Sequence, residues 1–152
     1  MRRLRGTLIS VHARVCAPIG LAWQILLATL EDLQAHPGAA SLEADWSGVL
    51  GVSVSAPIKV TLSKGNSRYE LEIAIEPSTN ERFFPHFHGV IALLHNLADT
   101  CDLRLDGKYS VPLGGIGKTI DATLLRDVAR ASLKRFIEHL AENITNRIKI
   151  AL

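Results

Sequence analysis

The sequence predicts a single α+β domain in which a curved antiparallel sheet closes around one long carboxy-terminal helix. Three observations carry that prediction. Segments between Thr7 and Ser110 alternate apolar and polar residues with a period of two, the spacing of strands that bury one face. From about Thr119 the period becomes 3.6 and stays so almost to the end of the chain. The length of 152 residues, 47% apolar and 21% charged, suits one ordered domain with its own core and excludes a disordered chain.

The first strand runs from Thr7 to Val15, where Ile9, Val11, Ala13 and Val15 alternate with Ser10, His12 and Arg14. Ala17-Pro18 stops it, because proline offers no N–H to a ladder yet suits a first helical turn. A helix with a broad apolar stripe through Leu21, Ile25, Ala28 and Leu33 follows to about Ala35, ended by His36-Pro37-Gly38. Ser41 to Trp46 is a short strand. Val52, Val54, Ala56, Ile58, Val60 and Leu62 then give the clearest alternation, and Lys64-Gly65-Asn66-Ser67 turns the chain into Tyr69, Leu71, Ile73 and Ile75, which makes a hairpin. Another strand is expected over Phe83 to His95, with Phe87, Gly89, Ile91 and Leu93 on one face. The last reads Cys101, Leu103, Leu105, Gly107 and Tyr109 on one face, with Gly107 a candidate bulge. The closing helix is expected from Asp121 to Ile148, roughly 40 Å at 1.5 Å per residue, with Leu133, Phe136, Ile137 and Leu140 on its apolar stripe.

Several classes of function are disfavoured by the residues. The net charge of +2 is spread along the chain apart from Arg2, Arg3 and Arg5, and no basic stripe with interleaved aromatics marks a nucleic-acid surface. No run resembles a signal peptide or a membrane span, so a cytoplasmic protein is expected. Cys16 and Cys101 lie outside any Cys or His ligand spacing and are expected to be free thiols. Gly114-Gly115-Ile116-Gly117-Lys118-Thr119 invites a phosphate-loop reading, but Pro112 stands where the first glycine belongs, so a strand-to-helix turn is expected. His86 and His88 share one strand face with no third ligand nearby, which favours an exposed pair over a metal site. No cofactor and no metal are expected.

The interior has two readings. Aromatics are only 5% of the chain, and Ala13, Ala56, Gly89 and Gly107 are small inward positions, which suits an unfilled apolar cavity. Alternatively, leucine and isoleucine close the space at ordinary packing density. Tyr69, Tyr109 and Cys101 are the inward polar groups available to orient a ligand or donate a proton, or are ordinary core residues.

The segments FFPHFHG, GKYSVPLGGIGKTID and LLRDVARASLKRFIEHLAENI, together with Ala17-Pro18 and Trp23 near the start, resemble bacterial members of the START-like superfamily, also described as the polyketide cyclase/dehydrase and lipid transport or birch-pollen-allergen-like superfamily. The resemblance covers nearly the whole chain in order of elements, through loose motifs. It implies a helix-grip fold of six to seven strands around the last helix with an internal hydrophobic pocket. Carried onto this chain, that pocket would be lined by Trp23, Val54, Ala56, Tyr69, Ile73, Phe87, Gly89, Ile91, Cys101, Leu103, Leu105, Tyr109, Leu133, Phe136, Ile137 and Leu140. The function it implies is binding or carriage of a small hydrophobic ligand such as a lipid, sterol or polyketide. A cyclase- or dehydratase-like enzyme using Tyr109 is the alternative. A third reading is an interaction domain or homodimer built on Val90, Ala92 and Leu94 of the outer face.

Overall fold

The computed structural model describes residues 7–47, 51–79, 84–110 and 122–151. Within them the chain forms β1 (Thr7–Val15), α1 (Ile19–Ala35), β2 (Ser41–Trp46), β3 (Val52–Lys64), β4 (Glu70–Pro77), β5 (His86–Leu97), β6 (Thr100–Ser110) and α2 (Ala122–Ala151). The strands make one six-stranded antiparallel sheet in the order β1-β6-β5-β4-β3-β2, curled into a half-barrel against α2. The expected Gly114–Thr119 turn lies outside the described residues.

Alternation does what it predicts. Ile9, Val11 and Val15 are buried on β1 while Ser10, His12 and Arg14 are exposed, and Ile73 and Ile75 are buried on β4 beside exposed Glu72 and Glu76. Pro18 sits at the N-cap of α1 in extended conformation (φ −61°, ψ 142°), and its carbonyl accepts the Ala22 N–H at 2.9 Å. At the other end the His36 N–H donates to the Asp32 carbonyl at 3.0 Å. Gly38 then takes φ 91°, a left-handed conformation that favours glycine, and its N–H reaches the Ile58 carbonyl at 3.0 Å as the chain enters β2.

Two expectations about the strands are corrected. Gly107 is not a bulge: it pairs in register with both Ile9 and Gly89, and the irregularity of the β5–β6 ladder falls between His95 and Leu97. The glycines instead permit a close approach. A Cβ on Gly89 would lie 2.6 Å from the Gly107 Cα, and one on Gly107 would lie 2.6 Å from the Gly89 Cα and 2.9 Å from Phe87 Cζ. Bare backbones therefore meet between β5 and β6, and the Phe87 ring lies against Gly107. The strand expected from Phe83 begins at His86, preceded by buried Phe84 and Pro85.

A sheet that stops short of a closed barrel has two edges, here β1 and β2. One stretch of α2 reaches both. Arg130 Nη1 donates to the Ser10 carbonyl at 3.1 Å and Lys134 Nζ to the His12 carbonyl, both on β1. On the other flank Ser132 Oγ donates to the Glu43 carbonyl and Arg135 pairs with the Glu43 carboxylate, both on β2. Between these flanks Leu133, Phe136, Ile137 and Leu140 face the sheet and are buried.

Candidate ligand site between sheet and helix

Fifteen of the sixteen expected lining residues belong to one apolar cluster or pack against it, and Gly89, the sixteenth, lies half-buried between Phe87 and Ile91 on the same face. They come together because the inward positions of neighbouring strands are in register. Val11, Leu105, Ile91 and Leu71 form one cross-sheet row, and Ile9, Gly107, Gly89, Ile73 and Leu62 form the next. The stripe of α2 supplies the facing wall.

How that wall is filled differs from the reading based on small residues. Ile91, Cys101, Leu103, Leu105, Leu133 and Ile137 are all at 0% exposure, so no water-sized space borders them. Trp46, Phe84 and Phe87 are among the largest fully buried side chains, and the first two were not expected to line the interior. Each aromatic of this size fills 150–250 Å² of contact surface by general measure, which is how roughly three of them occupy much of a concavity. The smallness of Gly107 is taken up by Phe87, as described above.

Burial is incomplete around the margin of the core, at Ala13, Val54, Leu124 and Leu125 among others, and also at a rim by the β3–β4 hairpin. Trp23 on α1, Leu62 on β3, Tyr69 just before β4 and Leu71 at its start are half-buried and pack against the core. The Trp23 and Tyr69 rings meet edge to face, with centroids 5.9 Å apart and planes at 64°. The Tyr69 carbonyl is fixed by the Leu93 N–H at 2.9 Å, and the Arg68 guanidinium lies 5.4 Å from the Tyr69 ring centroid. Gln34 near the end of α1 accepts the Leu62 N–H at 2.7 Å, so α1 closes over this end of the sheet. Trp23 and Tyr69 are among the expected lining residues, whereas Leu62 and Leu71 read only as strand residues in the sequence.

The polar groups inside are few. Thr29 and Ser132 are the buried polar side chains among the described residues, and their hydroxyls are held by the Ile25 carbonyl (2.8 Å) and the Glu43 carbonyl. Cys101 is buried, and desolvation pushes its thiol up to about 11, with Asp102 and Cys16 adding smaller repulsions. The thiol is therefore neutral near pH 7. Tyr109 is buried on the inner face and Tyr69 half-buried at the rim.

Other features lie elsewhere. His88 is exposed and His86 half-buried on the convex face, and among the described residues no three His, Cys, Asp or Glu side chains are grouped to hold a metal. His95 is an exposed strand residue opposite Cys101. Val90, Ala92 and Leu94 do lie on the convex face, but Asp106, Arg104 and Asp102 stand opposite them on β6, and Glu72 and Glu70 stand opposite the first two on β4. An open groove of about 470 Å³ runs between β1 and the latter half of α2, floored by Ala13 and Ala141 and rimmed by Arg14, Lys134, Glu138 and Lys149. Among the described residues no helix is long and apolar enough to cross a membrane.

No family model matches the sequence, and no curated protein matches it. Solved structures match the fold. A protein from Thermus thermophilus superposes with a TM-score of 0.58 at 11% identity, covering 93% of this chain and 99% of that one. A START superfamily protein from Mycobacterium smegmatis gives 0.52 at 14% identity over 97% and 100% of the two chains. Norcoclaurine synthase from Thalictrum flavum, solved in complex with dopamine and hydroxybenzaldehyde, gives 0.53 at 13% identity over 93% and 86%. At such identities the likeness is one of fold.

Proposed function

From the helix-grip fold that this chain has in common with START-like proteins, we propose that it binds or carries a small hydrophobic ligand between the concave face of the sheet and α2. The observation that carries this reading is the half-buried rim of Trp23, Leu62, Tyr69 and Leu71, which opens onto a continuous apolar wall. Because the centre of that wall is packed, a ligand seats first at the rim and lodges deeper by displacing side chains rather than by entering an existing void. The polar inventory supports carriage over chemistry: the buried hydroxyls of Thr29 and Ser132 are spent on backbone carbonyls and the Cys101 thiol is neutral. The second reading, a cyclase- or dehydratase-like reaction, draws on the phenol of Tyr109 on the concave wall.

Titration with fluorescent fatty-acid, sterol and polyaromatic probes tests the proposal. Saturable one-to-one binding of at least one probe, weakened by Leu71→Asp at the rim, is the expected result. Failure of all three to bind the folded protein up to their solubility limits refutes it.

A further inference from the structure

We infer that the rim at the β3–β4 hairpin selects a single-chain carboxylate, an amphiphile whose acid head lies against Lys64 and Arg68 while its tail passes Trp23, Leu62 and Leu71. This rests on the hydrophobic-ligand reading above and adds the charge of the ligand's head. The hairpin sorts its charges by face. On β4, Glu72 and Glu76 alternate with the inward Ile73 and Ile75 and so lie on the convex side, as does Glu70. Two of these carboxylates are already engaged: Glu70 accepts from Ser67 Oγ at 2.7 Å and Glu72 from Ser63 Oγ at 3.2 Å.

The cations are placed differently. Lys64 pairs with Leu71, whose neighbour across the next strand is the buried Ile91, so strand alternation sets Lys64 on the concave side at the mouth, with its side chain exposed. Arg68 lies over the face of Tyr69, which in turn meets Trp23. Among the described residues neither Lys64 nor Arg68 has a carboxylate partner. On the facing helix, Asp32 is held at 3.2 Å by His36, and Glu31 is exposed. Two unpaired cations thus stand beside a half-buried aromatic and aliphatic wall.

That pairing is the chemistry of an acid-headed amphiphile. The aliphatic stems of lysine and arginine lie along apolar surface while their heads stay wet. A carboxylate there receives charge-assisted hydrogen bonds from the guanidinium and the ammonium, and the apolar wall on one side reduces screening.

The test compares cis-parinaric acid with its methyl ester, which share a tail and differ in head charge, on the wild type and on a Lys64→Gln/Arg68→Gln double variant whose fold is checked by circular dichroism. At low ionic strength the acid is expected to bind the wild type about tenfold more tightly than the ester, the scale of two modest ion pairs. The preference should disappear in the double variant, with ester binding unchanged, and shrink at 1 M salt, where the Debye length is about 3 Å. Equal binding of acid and ester to the wild type, or an acid preference that survives in the double variant, overturns the head-group assignment and leaves the hydrophobic site standing. Binding of neither compound overturns the head-group assignment, and the hydrophobic-ligand reading falls with it only when the sterol and polyaromatic probes also fail to bind.

Discussion

Replacing Gly89 with alanine tests the close approach of β5 and β6 at Gly89 and Gly107. The new Cβ would sit 2.6 Å from the Gly107 Cα and 2.9 Å from the Asp106 carbonyl carbon, with the Asp106 carbonyl oxygen nearer still. Carbon atoms in ordinary contact stand about 3.5–4.0 Å apart, so the strands must separate by about 1 Å, and every atom in the way is backbone that no rotamer change can move. Overpacking of this kind costs about 1–3 kcal/mol, and the rigid obstacle places it at the upper end, near ~3. Loss of glycine's freedom in the unfolded chain returns about 0.4–1 kcal/mol, leaving a net loss of about 2 kcal/mol. For a chain of this size that lowers the melting temperature by about 4–8 °C. Gly20→Ala is the matched control, since a Cβ there meets only the Tyr69 hydroxyl at 3.9 Å, an ordinary contact inside a helix, and should hold or raise stability by a few tenths of a kcal/mol. Both are read by thermal and urea unfolding followed by circular dichroism. A Gly89→Ala protein that melts with the wild type, or a Gly20→Ala protein destabilised as much, refutes the close approach of β5 and β6 as the cause.

Two further outcomes follow from burial and from the contacts of α2. Cys101 is protonated in both states below its ordinary value of 9.0; between 9.0 and about 11 only the unfolded chain ionises it, so the stability difference between wild type and Cys101→Ala should shrink as pH rises through that window, and a flat difference would contradict the burial. In the same native protein Cys16, which is exposed, should react with a thiol reagent well before Cys101. Ser132→Ala removes the buried donor to the Glu43 carbonyl and should cost about 1–2 kcal/mol, whereas Arg135→Ala breaks an ion pair whose side chains are about half exposed and should cost less than ~1 kcal/mol. Equal losses in urea unfolding would mean that the edge carbonyl is satisfied by water.

Much of this fold is legible in the sequence because its strands bury one face and its turns carry proline and glycine. The limits of β1 and β2 fall where the alternation starts and stops, and Pro18 marks the entry to α1. What escapes is whatever depends on pairing between distant segments. Gly89 and Gly107 look like separate irregularities until register sets them side by side. Trp46 ends the Leu42, Ala44, Trp46 alternation of a strand only six residues long and Phe84 precedes Pro85 outside any strand, and only the fold shows that both are at 0% exposure in the interior. Lys64 reads as a turn residue and becomes a rim residue only because β3 extends far enough to pair it with Leu71. Arg130 and Lys134 read as solvated helix face, since one helix's periodicity carries no record of where the sheet edges lie.

Those last residues bear on the entry route of the proposed ligand. Successive helical residues are set about 100° apart, so Arg130 and Lys134 share one flank of α2 while Ser132 lies about 200° from Arg130, on the other. A helix with donors on both flanks and Leu133, Phe136 and Ile137 between them meets the two edges of a half-barrel at once. It satisfies edge carbonyls that would otherwise invite another strand, and it fastens the seam: lifting α2 there breaks three hydrogen bonds to backbone carbonyls, each worth about 1 kcal/mol, besides exposing the apolar stripe. At the α1 rim, separation breaks the Gln34 bond to Leu62 and one edge-to-face ring contact, between residues that are already half wet. For the proposed ligand, local opening at Trp23 and Gln34, with Ala22, Leu26 and Leu30 of α1 kept buried, is therefore the expected route, on the side where Lys64 and Arg68 have no carboxylate partner among the described residues.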